Sequence, residues 1–151
     1  MATLSTTRGG RFAYLVPPGP SRLLRFRYAG APKIRAQTRD VHVRVRAASS
    51  IKADRRHVVN GEAVTFAGKL RGRFLPPAGK LMELQFFDRG KWRTFRTFRA
   101  APSDGSWSYT YRFDGTRGTR TYRFRVRIPK ENGYPYSTGR SRRVAVTVRG
   151  L

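Results

Sequence analysis

The chain has 151 residues, 13% of them aromatic, and sets 33 Lys+Arg against 8 Asp+Glu for a net charge of +25. That length holds one domain, or one and part of another. Cysteine is absent, which excludes disulfides, thiolate metal sites and cysteine nucleophiles, and no run approaches the roughly 18 apolar residues of a membrane-spanning helix.

In chain order the dominant signal is alternation of apolar and polar residues, the period of a half-buried strand. Phe12–Val16 predicts a first strand, stopped by Pro17-Pro18-Gly19-Pro20, and Leu24–Tyr28 a second, stopped by Gly30-Ala31-Pro32. Val41–Arg46 predicts a third, with valine on one face and His/Arg on the other. A weak strand is expected near Ile51. Val64, Phe66 and Leu70 mark a strong one, with Gly68 as an expected bulge. Leu81–Phe87 and Trp92–Phe98 follow, joined by the turn Asp88-Arg89-Gly90-Lys91. Trp107, Tyr109, Tyr111 and Phe113 alternate after Asp104-Gly105; Gly115-Thr116-Arg117-Gly118 then reads as a hairpin loop. Tyr122–Ile128 alternates hydrophobe with arginine, and Val144, Val146 and Val148 form the last strand.

Strands at this spacing, with Gly, Pro, Asn or Asp between them, predict an all-β antiparallel sandwich or barrel. Residues 49–151 hold six strong strands and a seventh weak one, the size of one immunoglobulin-like sandwich. Parity predicts a shared core of Phe66, Leu84, Trp107, Tyr109, Tyr122, Phe124, Val126 and Val146. Residues 1–48 supply only three strands, too few for independent stability. They are expected to dock on the second part or to pair with strands upstream of Met1.

Two stretches resemble known families. Gly9-Gly10-Arg11-Phe12-Ala13-Tyr14-Leu15-Val16-Pro17-Pro18-Gly19-Pro20, followed by Leu24–Tyr28, resembles the closing strands of a carboxypeptidase-regulatory-like (transthyretin-like) domain, over about residues 5–46. Gly9-Gly10 stands where that family usually has Asp-Gly, and the family's earlier strands are absent. Gly61-x-x-Val64-x-Phe66-x-Gly68, Trp92-Arg93-Thr94-Phe95, Asp104-Gly105-Ser106-Trp107 and Tyr122–Val126 resemble the immunoglobulin-like modules of bacterial surface and secreted proteins, over about residues 50–150. The resemblances imply an immunoglobulin-like β-sandwich preceded by a partial transthyretin-like β-sheet. They also imply a spacer, stalk or adhesion unit of a longer exported protein, with neighbouring β domains as partners and an extracellular or cell-surface location. MATLSTTRGG lacks the basic and apolar regions of a secretory signal, so a cytoplasmic location is the alternative.

Twenty-seven of the 33 basic residues are arginine. Arginine pairs bidentately with phosphate and carboxylate. A charge of this size attracts anionic polymers such as cell-wall polymer, acidic glycan or nucleic acid, and anionic lipid. The arginines are spread along the chain, so compositional drift is the other explanation. Arg123, Arg125 and Arg127, sharing one strand face, and Arg140, Arg142 and Arg143 are the candidate polyanion contacts. Tyr134 and Tyr136, flanking Pro135 in a loop beside those arginines, are candidate ligand-contact residues, to a sugar for instance; packing over the sandwich end is the other reading, and the favoured one. Aromatics and arginines also interleave at 92–99 and 122–127, as in single-strand binders. Strict alternation sends the two kinds to opposite faces there, and the aromatics are then expected in the core.

No catalytic, cofactor or metal motif is legible, and a non-enzymatic chain is expected. His42 and His57 have no neighbour at metal-ligand spacing. Glu83, set within hydrophobes, is expected to pair with an arginine of an adjacent strand. The runner-up function is a nucleic-acid-binding protein using its arginine-rich face.

Overall fold

The computed structural model describes residues 1–151 and contains strands but no helix. A protruding hairpin, β1 (Arg22–Tyr28) with β2 (Gln37–Val43), precedes two facing sheets. The smaller sheet is built on β6 (Ala63–Arg71), which pairs with β9 (Ser106–Arg112) on one side and with the short β3 (Ala48–Ser49) and β4 (Lys52–Ala53) on the other. The larger runs in the order β5 (His57–Val59), β12 (Val144–Arg149), β10 (Thr119–Ile128), β7 (Leu81–Asp88), β8 (Lys91–Arg99), with β11 (Gly139–Arg140) also on β10. All pairings are antiparallel except β5 with β12.

The inward parity of both sheets builds one aromatic-rich core. Phe66 of β6 meets Phe124 of β10 at 4.6 Å between ring centroids, which joins the sheets face to face. Of the eight residues expected in the core, Phe66, Leu84, Trp107, Phe124, Val126 and Val146 are buried, and Tyr109 and Tyr122 pack against them half-buried. Trp107 keeps its indole N–H satisfied by donating to Ser49 Oγ at 3.0 Å, as a buried polar group requires.

Four local expectations are corrected. Phe12–Val16 forms no strand: Phe12 and Tyr14 instead lie against Phe26, at 5.2 and 6.2 Å. Gly68 is no bulge, since β6 and β9 stay in register through it. It is there because a Cβ would come within 2.1 Å of the Ser50 carbonyl oxygen. The bulge lies in β8, where Thr94 and Arg96 face consecutive residues of β7 and Phe95 is the extra residue. The Gly115–Gly118 loop is no hairpin, because it carries the chain from β9 in one sheet to β10 in the other. Asn60 holds it by bonding the Thr116 backbone twice, at 2.7 and 3.2 Å.

The third expected strand, Val41–Arg46, is replaced by β2, which starts earlier and ends at Val43. The hairpin's root is tied to the sandwich by Val45 N–H donating to Ser21 Oγ at 2.8 Å and by Ser21 N–H donating to the Pro135 carbonyl at 2.8 Å. The position between 48 and 49 lies inside β3, and Ala47 is already a core residue.

Candidate polyanion-binding face

The outer face of the larger sheet is made by odd positions of β10 and β7 and by the first half of β8. Arg123, Arg125 and Arg127 alternate with the buried Phe124, Val126 and Ile128, so all three point outward. Their environments differ. Arg127 donates from one Nη to both Glu83 oxygens at 2.9 Å, the neighbouring-strand ion pair anticipated for Glu83. Arg125 donates Nε to Gln85 Oε1 at 2.9 Å and lies over the Trp92 ring, 4.1 Å from its centroid. Arg123 is exposed, sits opposite Ala145 in register, and has no hydrogen-bonding partner.

Trp92 is the residue that alternation misplaced. The aromatics of β8 fall at 92, 95 and 98, a period of three that no regular strand can put on one face. The bulge at Phe95 resolves the conflict. Phe95 and Phe98 turn inward, at 5.5 Å from Tyr111 and 5.3 Å from Trp107, while Trp92 stays outward against Phe87 at 5.3 Å. An aromatic pair therefore shares the outer face with the arginines. The signal was present in the sequence as that broken alternation.

The loop after β11 completes the face. Arg140 lies opposite Arg127 in register, and Arg142 and Arg143 are exposed beyond it. Ser141 fastens this loop to β10: its N–H donates to the Val126 carbonyl at 2.9 Å and its Oγ accepts from Val126 N–H at 2.8 Å. Between loop and sheet lies an open cleft of about 520 Å³ lined by Trp92, Arg125, Ser141, Arg142 and Arg143. Arg125, Arg142 and Arg143 thus converge, whereas Arg123, Arg127 and Arg140 flank the cleft without lining it. Burial first, and then repulsion from Arg140, Arg127 and Arg143, lower the pKa of the Arg125 guanidinium from its ordinary value. Across the molecule seven basic side chains have carboxylate partners, which leaves 26 of the 33 without one.

Tyr134 and Tyr136 are placed elsewhere. Their side chains are turned inward, 5% and 9% exposed, with rings 5.0 Å apart. Burial pushes the Tyr134 phenol up to about 12, and its hydroxyl has no hydrogen-bonding partner. Under them lies an ion pair with one fully buried member. Lys80, fully buried, donates Nζ to Glu131 Oε2 at 2.8 Å and sits 5.0 Å from the Tyr134 ring centroid. Arg99 donates to the other Glu131 oxygen at 3.0 Å. The Lys80 hydrogen bond above all, with help from Leu81 N–H and Arg99, holds the Glu131 carboxyl down at about 2. This cluster staples the 129–136 loop to the sheet end. His42 and His57 are exposed, and nowhere do three or more His, Asp or Glu side chains gather to hold a metal.

No family model and no curated protein matches the sequence.

Proposed function

We propose that this chain is a non-catalytic structural or adhesive β module of a cell-surface or secreted protein, contacting anionic polymers through the outer face of its larger sheet. The observation that carries the polymer contact is the convergence of Arg125, Arg142 and Arg143 on one cleft with no carboxylate among its lining residues. Structural charge pairs neutralise one another; these cations do not. Of the finer fold assignment, an immunoglobulin-like sandwich after a transthyretin-like fragment, the sandwich part draws support from the divided first edge. There β3 and β4 pair with β6, while β5 crosses to pair in parallel with β12.

A titration against duplex DNA, single-stranded RNA and polyglycerol phosphate at several salt concentrations tests the reading. Replacing Arg123, Arg142 and Arg143 together by Ser removes charge without touching Glu83 or Gln85. Binding to all three polymers should weaken, and the salt slope for duplex DNA should flatten by about 0.9 for each phosphate no longer neutralised. No binding by the unaltered protein at physiological salt would refute the proposal. A nucleic-acid-binding protein is the second reading, favoured by Trp92 and Phe87 sharing the arginine face. It requires a preference of roughly a thousandfold or more for one nucleic-acid sequence over others.

A further inference from the structure

A general cationic surface holds its arginines in water, each independently mobile. The cleft beside Trp92 is built differently. The Arg125 guanidinium is fixed at one edge by Gln85 and along its face by Trp92, so its two terminal nitrogens point free of protein acceptors. Gln85, 6% exposed, is itself clamped by donating to Thr94 Oγ1 at 3.0 Å. On the opposite wall, the Ser141 hydroxyl donates to the Arg142 carbonyl at 2.7 Å and sets the loop backbone, while the Arg142 and Arg143 side chains have no partner. One fixed fork thus faces two free ones across a single volume.

The nearest carboxylates are not available to fill it. Glu83 is held by Arg127, and Asp88 pairs with Arg93 at 3.1 Å. The positive charge of Arg125 is opposed by its own burial and by its arginine neighbours; an anion in the cleft would relieve that opposition. A planar carboxylate is satisfied by one guanidinium fork. Three cations around one open space exceed the single charge of an isolated carboxylate, whereas a phosphodiester chain brings further phosphates to either side of the group held. The cleft, about 520 Å³ and open, exceeds one such group, so the units on either side of it have room to continue. Trp92 is the one apolar residue of the lining.

We propose that this cleft binds one phosphodiester group of a polymer, with Arg125 as the fixed donor and Arg142 and Arg143 closing over the group. The proposal rests on the polyanion reading above and names where along the face that contact is specific. A nucleic-acid strand and a polyol-phosphate chain share this chemistry.

Trp92 supplies the readout, because the only other tryptophan, Trp107, is 6% exposed in the core. Tryptophan emission is titrated with inorganic phosphate, a thymidine oligonucleotide and polyglycerol phosphate. The variants are Arg142→Ser/Arg143→Ser and, as a control of equal charge, Arg27→Ser/Arg39→Ser on the hairpin. Emission should shift on binding. The loop variant should lose about tenfold or more in affinity relative to the control, as for charge-assisted bonds to a bound group. A phosphodiester ligand should also outbind inorganic phosphate. Binding of the oligonucleotide alone assigns the source to nucleic acid, and of polyglycerol phosphate alone to a polyol-phosphate polymer; binding of both assigns the shared group. Equal losses in the two variants, or binding without an emission change, would overturn the cleft while leaving the general polyanion reading intact. No binding of any polymer by the unaltered protein would remove both.

Discussion

Glu131→Gln should be the most costly single polar substitution in the protein. Glu131 is the counter-charge of Lys80, whose side chain is 0% exposed, and it also accepts from Arg99 and from Leu81 N–H. An amide keeps the shape and loses the charge, which leaves an ammonium buried beside the Tyr134 ring. Breaking a buried pair from one side costs about 3–5 kcal/mol. The lower end applies because the Glu131 side chain keeps 25% exposure and water reaches it. The depression of the carboxyl from 4.5 to about 2 has the same sign. Because the folded pKa is depressed, this stabilisation is present above the ordinary carboxylate value of 4.5 and is lost as pH falls towards 2. Urea melts at pH 7 and at several steps down to pH 2 check both points. The variant should be less stable at pH 7, and its stability should fall less between pH 5 and pH 2 than that of the unaltered protein. Asp40→Asn, which breaks an exposed pair on the hairpin, is the control and should barely move the midpoint. A midpoint shift for Glu131→Gln no larger than the control's would refute the reasoning.

Phe124→Ala should cost about 3–5 kcal/mol in denaturant melts as a large-to-small core change, against under about 0.5 kcal/mol for the exposed Arg123→Ala; equal losses would sink the assignment of Phe124 to the inter-sheet core. Tyr134→Phe removes a buried, unpartnered hydroxyl, and should be neutral or stabilising by about 1–2 kcal/mol in the same assay. Deleting residues 1–43 should leave a cooperative calorimetric transition, whereas deleting 1–48 also removes Ala47 and half of β3 and should lower the melting temperature further.

The strands β6, β9, β10 and β12 were readable because one face of each is buried, which forces alternation. Phe66, Phe124 and Val126 carried the core for that reason. Phe12–Val16 is instead an unbroken apolar run, which carries no face information; Phe12 and Tyr14 touch Phe26, Phe12 and Leu15 stay exposed, and no strand pairs with the segment. The short β3, β4 and β5 are too brief to show a period. Tyr134 and Tyr136 left two readings open in the sequence, contact with a ligand or packing over the sandwich end; they are buried, and the groups that bury them are distant in the chain. Gly72, at φ +114°, leaves space for Tyr136, whose hydroxyl lies 2.8 Å from where a Cβ would stand. The six candidate arginines were found by charge, but only three share the cleft. What selects them is the path of the loop fastened by Ser141 and the outward turn of Trp92 at a bulge.

The position of β12 has a consequence for how the chain reaches this state. Val144–Arg149 lies within the larger sheet, between β10 and β5, and its three valines are core residues. While a ribosome is still making residues 1–140, β5 has no ladder to join and β10 presents an unpaired edge over an open apolar face. The earlier strands are therefore held in an incomplete, association-prone form until the last of β12 emerges. Insertion of β12 joins segments about ninety residues apart, the kind of non-local closure that makes β proteins fold slowly. A high density of like charge keeps such unfinished chains from one another in the interval.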